Sequence, residues 1–114
     1  MEQDYLKNKN FEKIFIKSVD LALSSLGKSG KHAIYYYLQN NYNIKRASLF
    51  RKIEEFSSSI DAIFGLGGKF LQILILKNLD EKMKLDCENY LDQKNFSFLE
   101  NVKRKKECML KEKN

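Results

Sequence analysis

Apolar residues recur at helical spacing along most of the chain. In the first such stretch they lie three or four positions apart, beginning with Phe11, Ile14 and Phe15 and ending at Leu26. This spacing predicts a helix that is buried along one face. Gly27 follows the last periodic leucine, where a residue that can adopt a left-handed backbone conformation can end the helix.

The same spacing predicts further helices downstream. Asn40, Asn41 and Asn43 weaken the end of the second helix and favour a turn at 43–47, and glycines at 65–68 favour a second tight corner. The string ILIL at 73–76 could form a buried strand, but the helical spacing continues on its carboxyl side and no other segment offers a partner strand. We expect helices at 31–42, at 49–64 after an N-cap at Ser48, at 68–85, and from Phe98 onward.

The fourth predicted helix is apolar nearly all round in its first half, which is typical of an element that contacts several others. The chain has no proline and only five glycines in 114 residues, which favours helices over a turn-rich β architecture. We therefore predict an all-α fold, a compact bundle of four to five helices. The expected divisions are a flexible N-terminal segment at 1–10, one helical domain at 11–102, and a basic tail or helix end at 103–114.

Composition indicates the cellular location of the protein and the state of its cysteines. No run approaches the roughly 18 apolar residues of a membrane span, and the first ten residues are polar, so we expect a cytoplasmic protein. Cys87 and Cys108 lack the CxxC spacing of a metal site and are accompanied by a single histidine. We expect no metal and no disulfide framework, with both cysteines reduced.

Two glycine-rich stretches, GKSGK at 27–31 and GLGGK at 65–69, resemble parts of a phosphate-binding loop. The full motif spacing fails in both, and neither follows a predicted strand, so we interpret each as a helix corner. The single histidine, His32, has no orienting carboxylate nearby and is expected to be exposed. The sequence therefore predicts no catalytic residue, no cofactor site and no identifiable small-molecule ligand.

Charge is distributed unevenly along the chain, which carries a net charge of +6 and has a pI near 9.3. Between Leu21 and Ile53 there is no acidic residue, while basic residues and tyrosines are frequent. Basic groups can neutralise phosphates and aromatic rings can stack on unpaired bases, although at least one tyrosine of the run at 35–37 should be buried. The candidate nucleic-acid-binding residues are Lys28, Lys31, Lys45, Arg46, Arg51, Lys52, Tyr35 and Tyr36.

A second basic run at 103–106 is diluted by Glu107 and Glu112. It is interpreted as a solvated, solubilising helix end that could supplement phosphate binding. It has too few large apolar residues for a helix that lies on a membrane surface.

Two stretches, LGKSGKHAIYYYL at 26–38 and FSSSIDAIFGLGGKFLQILILKNL at 56–79, resemble a small archaeal all-helical domain family of unassigned activity. The shared features are a glycine-serine-glycine corner before a tyrosine-rich helix and a glycine corner before a leucine- and isoleucine-rich helix. This chain departs from many relatives in having no proline after Tyr42. The resemblance implies a regulatory or output-type module and transfers no functional residues.

These observations leave two hypotheses. The first is a noncatalytic helical module for protein interaction or regulation, with a protein partner or a second copy of the chain. The alternative is a nucleic-acid-binding domain that uses the basic, tyrosine-rich region at 28–52.

Overall fold

The computed structural model describes the backbone of residues 2–84 and 97–111 and the side chains of residues 9–84 and 97–109. These ranges form an all-α bundle without strands, which confirms the predicted fold class. The helices are α1 (Glu2–Ser24), α2 (Gly27–Tyr42), α3 (Ile53–Phe64), α4 (Gly67–Met83) and α5 (Phe98–Lys111), with a short 3-10 helix at Arg46–Ser48.

Some helix ends differ from the prediction. Helix α1 begins at Glu2, so it includes the polar residues 2–10, for which the sequence predicts a separate flexible segment. Ser48 does not cap α3, because it lies in the 3-10 helix, and α3 begins only at Ile53. Leu49 is nevertheless buried, so the turn before α3 contributes to the core that the apolar spacing predicted.

Helices α1 and α4 share the most extensive contact in the bundle. Helix α2 packs on α1, α3 packs on α4, and α5 packs on both. Phe98 brings the start of α5 against Phe15 and Phe56, with ring centroids 6.2 and 6.4 Å apart. The fully buried apolar side chains include Phe11, Phe15, Val19, Ala22, Leu23, Leu38, Leu49, Phe56, Ile60, Ile75, Leu76 and Leu79.

Each glycine-rich stretch contains a helix corner, as predicted. Helix α2 begins at Gly27 and not near Lys31, however, so residues 28–31 form its first turn. Gly27 joins α1 to α2 with a φ of +85°, and Gly65 joins α3 to α4 with a φ of +58°. These angles lie in the region that glycine adopts without strain. Asn43 ends α2 in a left-handed conformation, and its N–H donates to the Leu38 carbonyl.

Beyond the second corner, α4 approaches α3 closely at Gly68. A Cβ atom built at Gly68 would lie 2.9 Å from the Ile60 carbonyl oxygen and 3.2 Å from Asp61 Cα. The buried Gln72 side chain donates from Nε2 to Asp61 Oδ1 at 2.8 Å and accepts from the Ser57 hydroxyl at 3.1 Å. The α3–α4 hairpin is therefore stabilised by close backbone packing and by the buried Gln72 amide, whose nitrogen and oxygen both have hydrogen-bond partners.

Lys105 corrects the interpretation of the second basic run as a solvated helix end. Its relative exposure is only 1%, and its Nζ donates to Asp80 Oδ1 at 2.5 Å. A lysine with an ion-pair partner can be buried, because the carboxylate offsets the loss of hydration. Helix α5 thus docks on α4 through a member of the run, while Lys103 and Arg104 are exposed.

Cys108 is disulfide-bonded, which corrects the prediction of a reduced thiol. The other cysteine of the chain, Cys87, lies outside the described residues. Sequence spacing alone does not reveal whether two cysteines approach within bonding distance. Within residues 2–84 and 97–111, no helix is both long and apolar enough to cross a membrane.

The adjacent glycines at the start of α4 provide a matched test of the close approach to α3. Gly68→Ala should lower the free energy of unfolding by about 1–3 kcal/mol, because the new Cβ meets backbone atoms that must move. Gly67→Ala should leave it unchanged or raise it by up to about 1 kcal/mol, because its Cβ would lie 3.8 Å from the nearest side-chain atom and alanine favours helix. Urea denaturation followed by circular dichroism measures both. Equal effects of the two substitutions would contradict the proposed packing.

Candidate functional site

A carboxylate on α1 joins three elements of the fold. Asp20 Oδ1 accepts from the Tyr35 hydroxyl of α2 at 2.5 Å and from Arg46 Nε at 3.0 Å. Arg46 also donates from Nη2 to Asp20 Oδ2, so the guanidinium holds the carboxylate with two donors. Bidentate pairing of this kind fixes orientation as well as charge. Asp20 therefore positions both Tyr35 and Arg46.

The environment stabilises the charged form of Asp20. Burial works to raise its pKa, but the hydrogen bonds from Arg46 and Tyr35 and the charges of Arg46 and Lys31 outweigh burial, so the pKa lies below its usual value. The pKa of Tyr35 is raised far above its usual value by burial and by the hydrogen bond to Asp20. Tyr35 consequently remains a neutral hydroxyl donor.

Around this junction lies an open depression, here named the α2 depression. Four of the eight predicted nucleic-acid-binding residues line it, namely Lys31, Tyr35, Tyr36 and Arg46. Tyr35 is half-buried and packs against the core, whereas Tyr36 is 73% exposed. His32 is exposed, as predicted, and lies on the same surface. The full lining is Asp20, Ser29, Lys31, His32, Ala33, Tyr35, Tyr36, Tyr37, Gln39 and Arg46.

The other four predicted residues do not line the depression. Arg51 lies 3.7 Å from a carboxylate oxygen of Glu12, and Lys52 Nζ donates to the Asn43 carbonyl at 2.8 Å. Lys28 and Lys45 are exposed, and their ammonium groups make no hydrogen bond or ion pair with other described residues. Part of the positive charge of the 28–52 region thus has intramolecular partners.

A second surface lies on α4 and is here named the α4 outer strip: Leu66, Phe70, Ile73 and Leu74. Leu66 is 87% exposed and Phe70 is 78% exposed, while Ile73 and Leu74 are partly exposed. Leu66, Phe70 and Ile73 follow helical spacing along the side of α4 that faces away from its buried residues. Leu74 lies at the edge of this side, where it also packs against the core. Large apolar side chains grouped on a surface are typical of an interaction site.

Sequence reasoning missed Asp20 and the pair Leu66 and Phe70. Asp20 directly precedes the acid-free interval, so its position as the last carboxylate before many cations was an available signal. Leu66 and Phe70 lie four positions apart just after the corner at Gly65. Their spacing is compatible with a buried position as well as with an exposed one. The structure shows that both are exposed, because other residues of α4 occupy the side that faces the core.

The described side chains contain no group of three or more His, Cys, Asp or Glu residues placed to hold a metal ion. Comparison of the chain with known protein families, with curated proteins and with solved structures gives no significant match. The resemblance to an archaeal helical family stays a prediction that rests on the two corner motifs and their flanking helices.

The Asp20 junction predicts a specific acid dependence of stability. A carboxyl group with a lowered folded-state pKa stabilises the fold above its unfolded pKa, which is near 3.8, and this contribution is lost as the pH falls through the lower folded value. Asp20→Asn should therefore reduce the free energy of unfolding at pH 7, and its deficit relative to the native chain should shrink below about pH 4. Urea denaturation at pH 7 and pH 3 measures the difference. A deficit for Asp20→Asn that is independent of pH would refute the assignment.

Proposed function

We propose that this protein is a noncatalytic helical module that acts in protein interaction or regulation and binds a second copy of itself through the α4 outer strip. The observation that carries the proposal is the exposure of Leu66 and Phe70, one helical turn apart at the start of α4. Removing such side chains from water is a main source of association free energy. The noncatalytic character is supported by the structural role of both glycine motifs as helix corners.

The spacing of the strip supports a second copy as the partner. In an antiparallel pairing of two α4 helices about a twofold axis beside Phe70, each Leu66 would face Leu74 of the other copy. The two Phe70 rings would meet at the axis, and Gly67 would leave room for Ile73 of the other copy. A twofold interface requires a surface that is complementary to itself in this way.

A cytoplasmic location belongs to the same proposal. The disulfide at Cys108 weighs against it, because disulfides are rare in reducing compartments. The proposed self-association is independent of this question, since the α4 outer strip contains no cysteine.

A second candidate function, nucleic-acid binding, is favoured by the α2 depression. It gathers Lys31, Arg46 and Tyr36 on one surface, and Lys28 and Lys45 are exposed elsewhere in the same region of the chain. Cations beside an exposed aromatic ring are the elements that bind single strands. Exposed nearby cations would add attraction that does not depend on base sequence.

Self-association is tested by replacing the two most exposed apolar side chains of the strip. The native chain should change from monomer to dimer between about 1 and about 100 μM in sedimentation equilibrium, and Leu66→Ser/Phe70→Ser should remain monomeric. Because both side chains are exposed, the double variant should retain the native circular dichroism spectrum and unfolding midpoint. Leu21→Ser/Leu26→Ser, which changes two exposed leucines near the corner between α1 and α2, is the matched control and should still dimerise. A native chain that is monomeric throughout this range would refute the second-copy proposal.

Nucleic-acid binding is tested by fluorescence anisotropy with labelled single-stranded RNA, single-stranded DNA and duplex DNA at two salt concentrations. We expect single strands to bind, and binding should weaken steeply at the higher salt concentration as counterions compete for the phosphates. Absence of binding at low salt would eliminate this second candidate.

A further inference from the structure

We propose that the α2 depression is a binding site for one nucleoside phosphate unit, with the phosphate held by Lys31 and Arg46 and the base stacked on Tyr36. The unit could be a free nucleotide or part of a single strand. Only the strand source rests on the second candidate function. The site itself is inferred from the arrangement of charges and rings around Asp20.

The depression has a surplus of positive charge. Asp20 is the single carboxylate of its lining, whereas Lys31 and Arg46 both contribute cations. Arg46 uses Nε and Nη2 to bind Asp20, and its side chain is still about half exposed, so part of the guanidinium is open to another acceptor. Lys31 makes no hydrogen bond or ion pair with another described side chain, although it is close enough to Asp20 to help lower the pKa of that carboxyl. An oxyanion is the ligand that complements this surplus.

The aromatic part of the site is the Tyr36 ring. Tyr37 and Tyr42 pack edge to face with their centroids 5.9 Å apart, and Tyr35 is committed to Asp20. Tyr36 has no aromatic partner among the described residues and is the most exposed of these four tyrosines. An open ring that lines the same depression as two cations can stack on a flat heterocycle whose phosphate reaches those cations.

The anion-binding edge of the site is organised before a ligand arrives. Asp20 holds Arg46 from two sides and is itself held by Tyr35, so the guanidinium orientation is fixed by contacts within the bundle. A ligand would therefore lose little free energy in ordering this side chain. Arg46 is left intact in the test below, because its replacement would also disturb the junction of α1, α2 and the 3-10 helix.

A nucleotide fits this combination better than an acidic peptide. A carboxylate side chain would satisfy a cation but would leave Tyr36 uncovered, and an apolar aromatic ligand would leave the cations unpaired. A nucleoside phosphate supplies a π face and an oxyanion in one molecule. This chemistry is common to free nucleotides and to single strands, so the two sources are separated by experiment.

The test is a titration of the ¹⁵N-labelled full chain, followed by amide chemical shifts. The probes are AMP, adenosine, inorganic phosphate and a single-stranded oligodeoxyadenylate. We expect AMP or the oligonucleotide to shift the amides of residues 31–36 and of Arg46, with adenosine and phosphate alone binding more weakly. Lys31→Gln and Tyr36→Ala should each weaken binding at least about fivefold, because each removes one of the two proposed contacts.

Two variants control for charge and for ring loss. Lys77→Gln removes one positive charge from α4 and should change the affinity by less than about twofold, because it leaves the depression intact. Tyr36→Phe keeps the ring and should likewise bind as the native chain does. A fivefold loss in either control would show that net charge or the tyrosine hydroxyl governs binding, and it would overturn the site as proposed.

The remaining outcomes separate the site from the second candidate function. Binding of AMP without the oligonucleotide would retain the site and eliminate the strand source, and binding of the oligonucleotide without AMP would retain the site as part of a strand interface. If the oligonucleotide binds and neither Lys31→Gln nor Tyr36→Ala weakens its binding, nucleic-acid binding is retained but this site is refuted. The absence of shifts with both AMP and the oligonucleotide would also refute it.

Discussion

Packing of α1 against α4 is the contact on which the other helices depend. It buries the aromatic side of α1 and the aliphatic side of α4, and the remaining helices attach to this pair. Each attachment includes a polar contact. Asp20 holds α2 and the 3-10 helix, Gln72 holds α3, and Lys105 holds α5. The apolar core supplies most of the driving force, while these directional contacts distinguish one arrangement of helices from its neighbours.

The two faces of α4 have different roles. Leu71, Ile75 and Leu76 face the core, while Leu66 and Phe70 extend into solvent at the corner with α3. Their exposed surface has an unfavourable hydration free energy that this fold does not relieve. The outer side of α4 and the α2 depression are built from different helices, so their proposed ligands need not compete.

Local spacing was sufficient to predict the bundle, because Phe11, Phe15 and Val19 lie on one side of any helix that contains them. The same rule predicted corners at Gly27 and Gly65, where the backbone needs a left-handed conformation. It could not predict the Asp20 junction, whose hydrogen-bond partners lie 15 and 26 positions away along the chain. Contacts at that separation depend on how the helices pack, and periodicity does not report packing angles. Lys105 was missed for a related reason: an isolated charge run resembles a solvated surface until a carboxylate on another helix is known to face it.

The burial of Lys105 distinguishes this position of the basic run at 103–106 from its neighbours. Successive residues on a helix point about 100° apart, so only one member of Lys103, Arg104, Lys105 and Lys106 can face Asp80 directly. Turning α5 by one residue would carry Lys105 away from its carboxylate and would also move Phe98 and Val102 out of the core. The ion pair therefore acts together with these two apolar side chains in setting the rotational register of α5. The burial of Lys105 depends on its angular position on the helix and not on its charge, because Lys103 carries the same charge at another angle and is exposed.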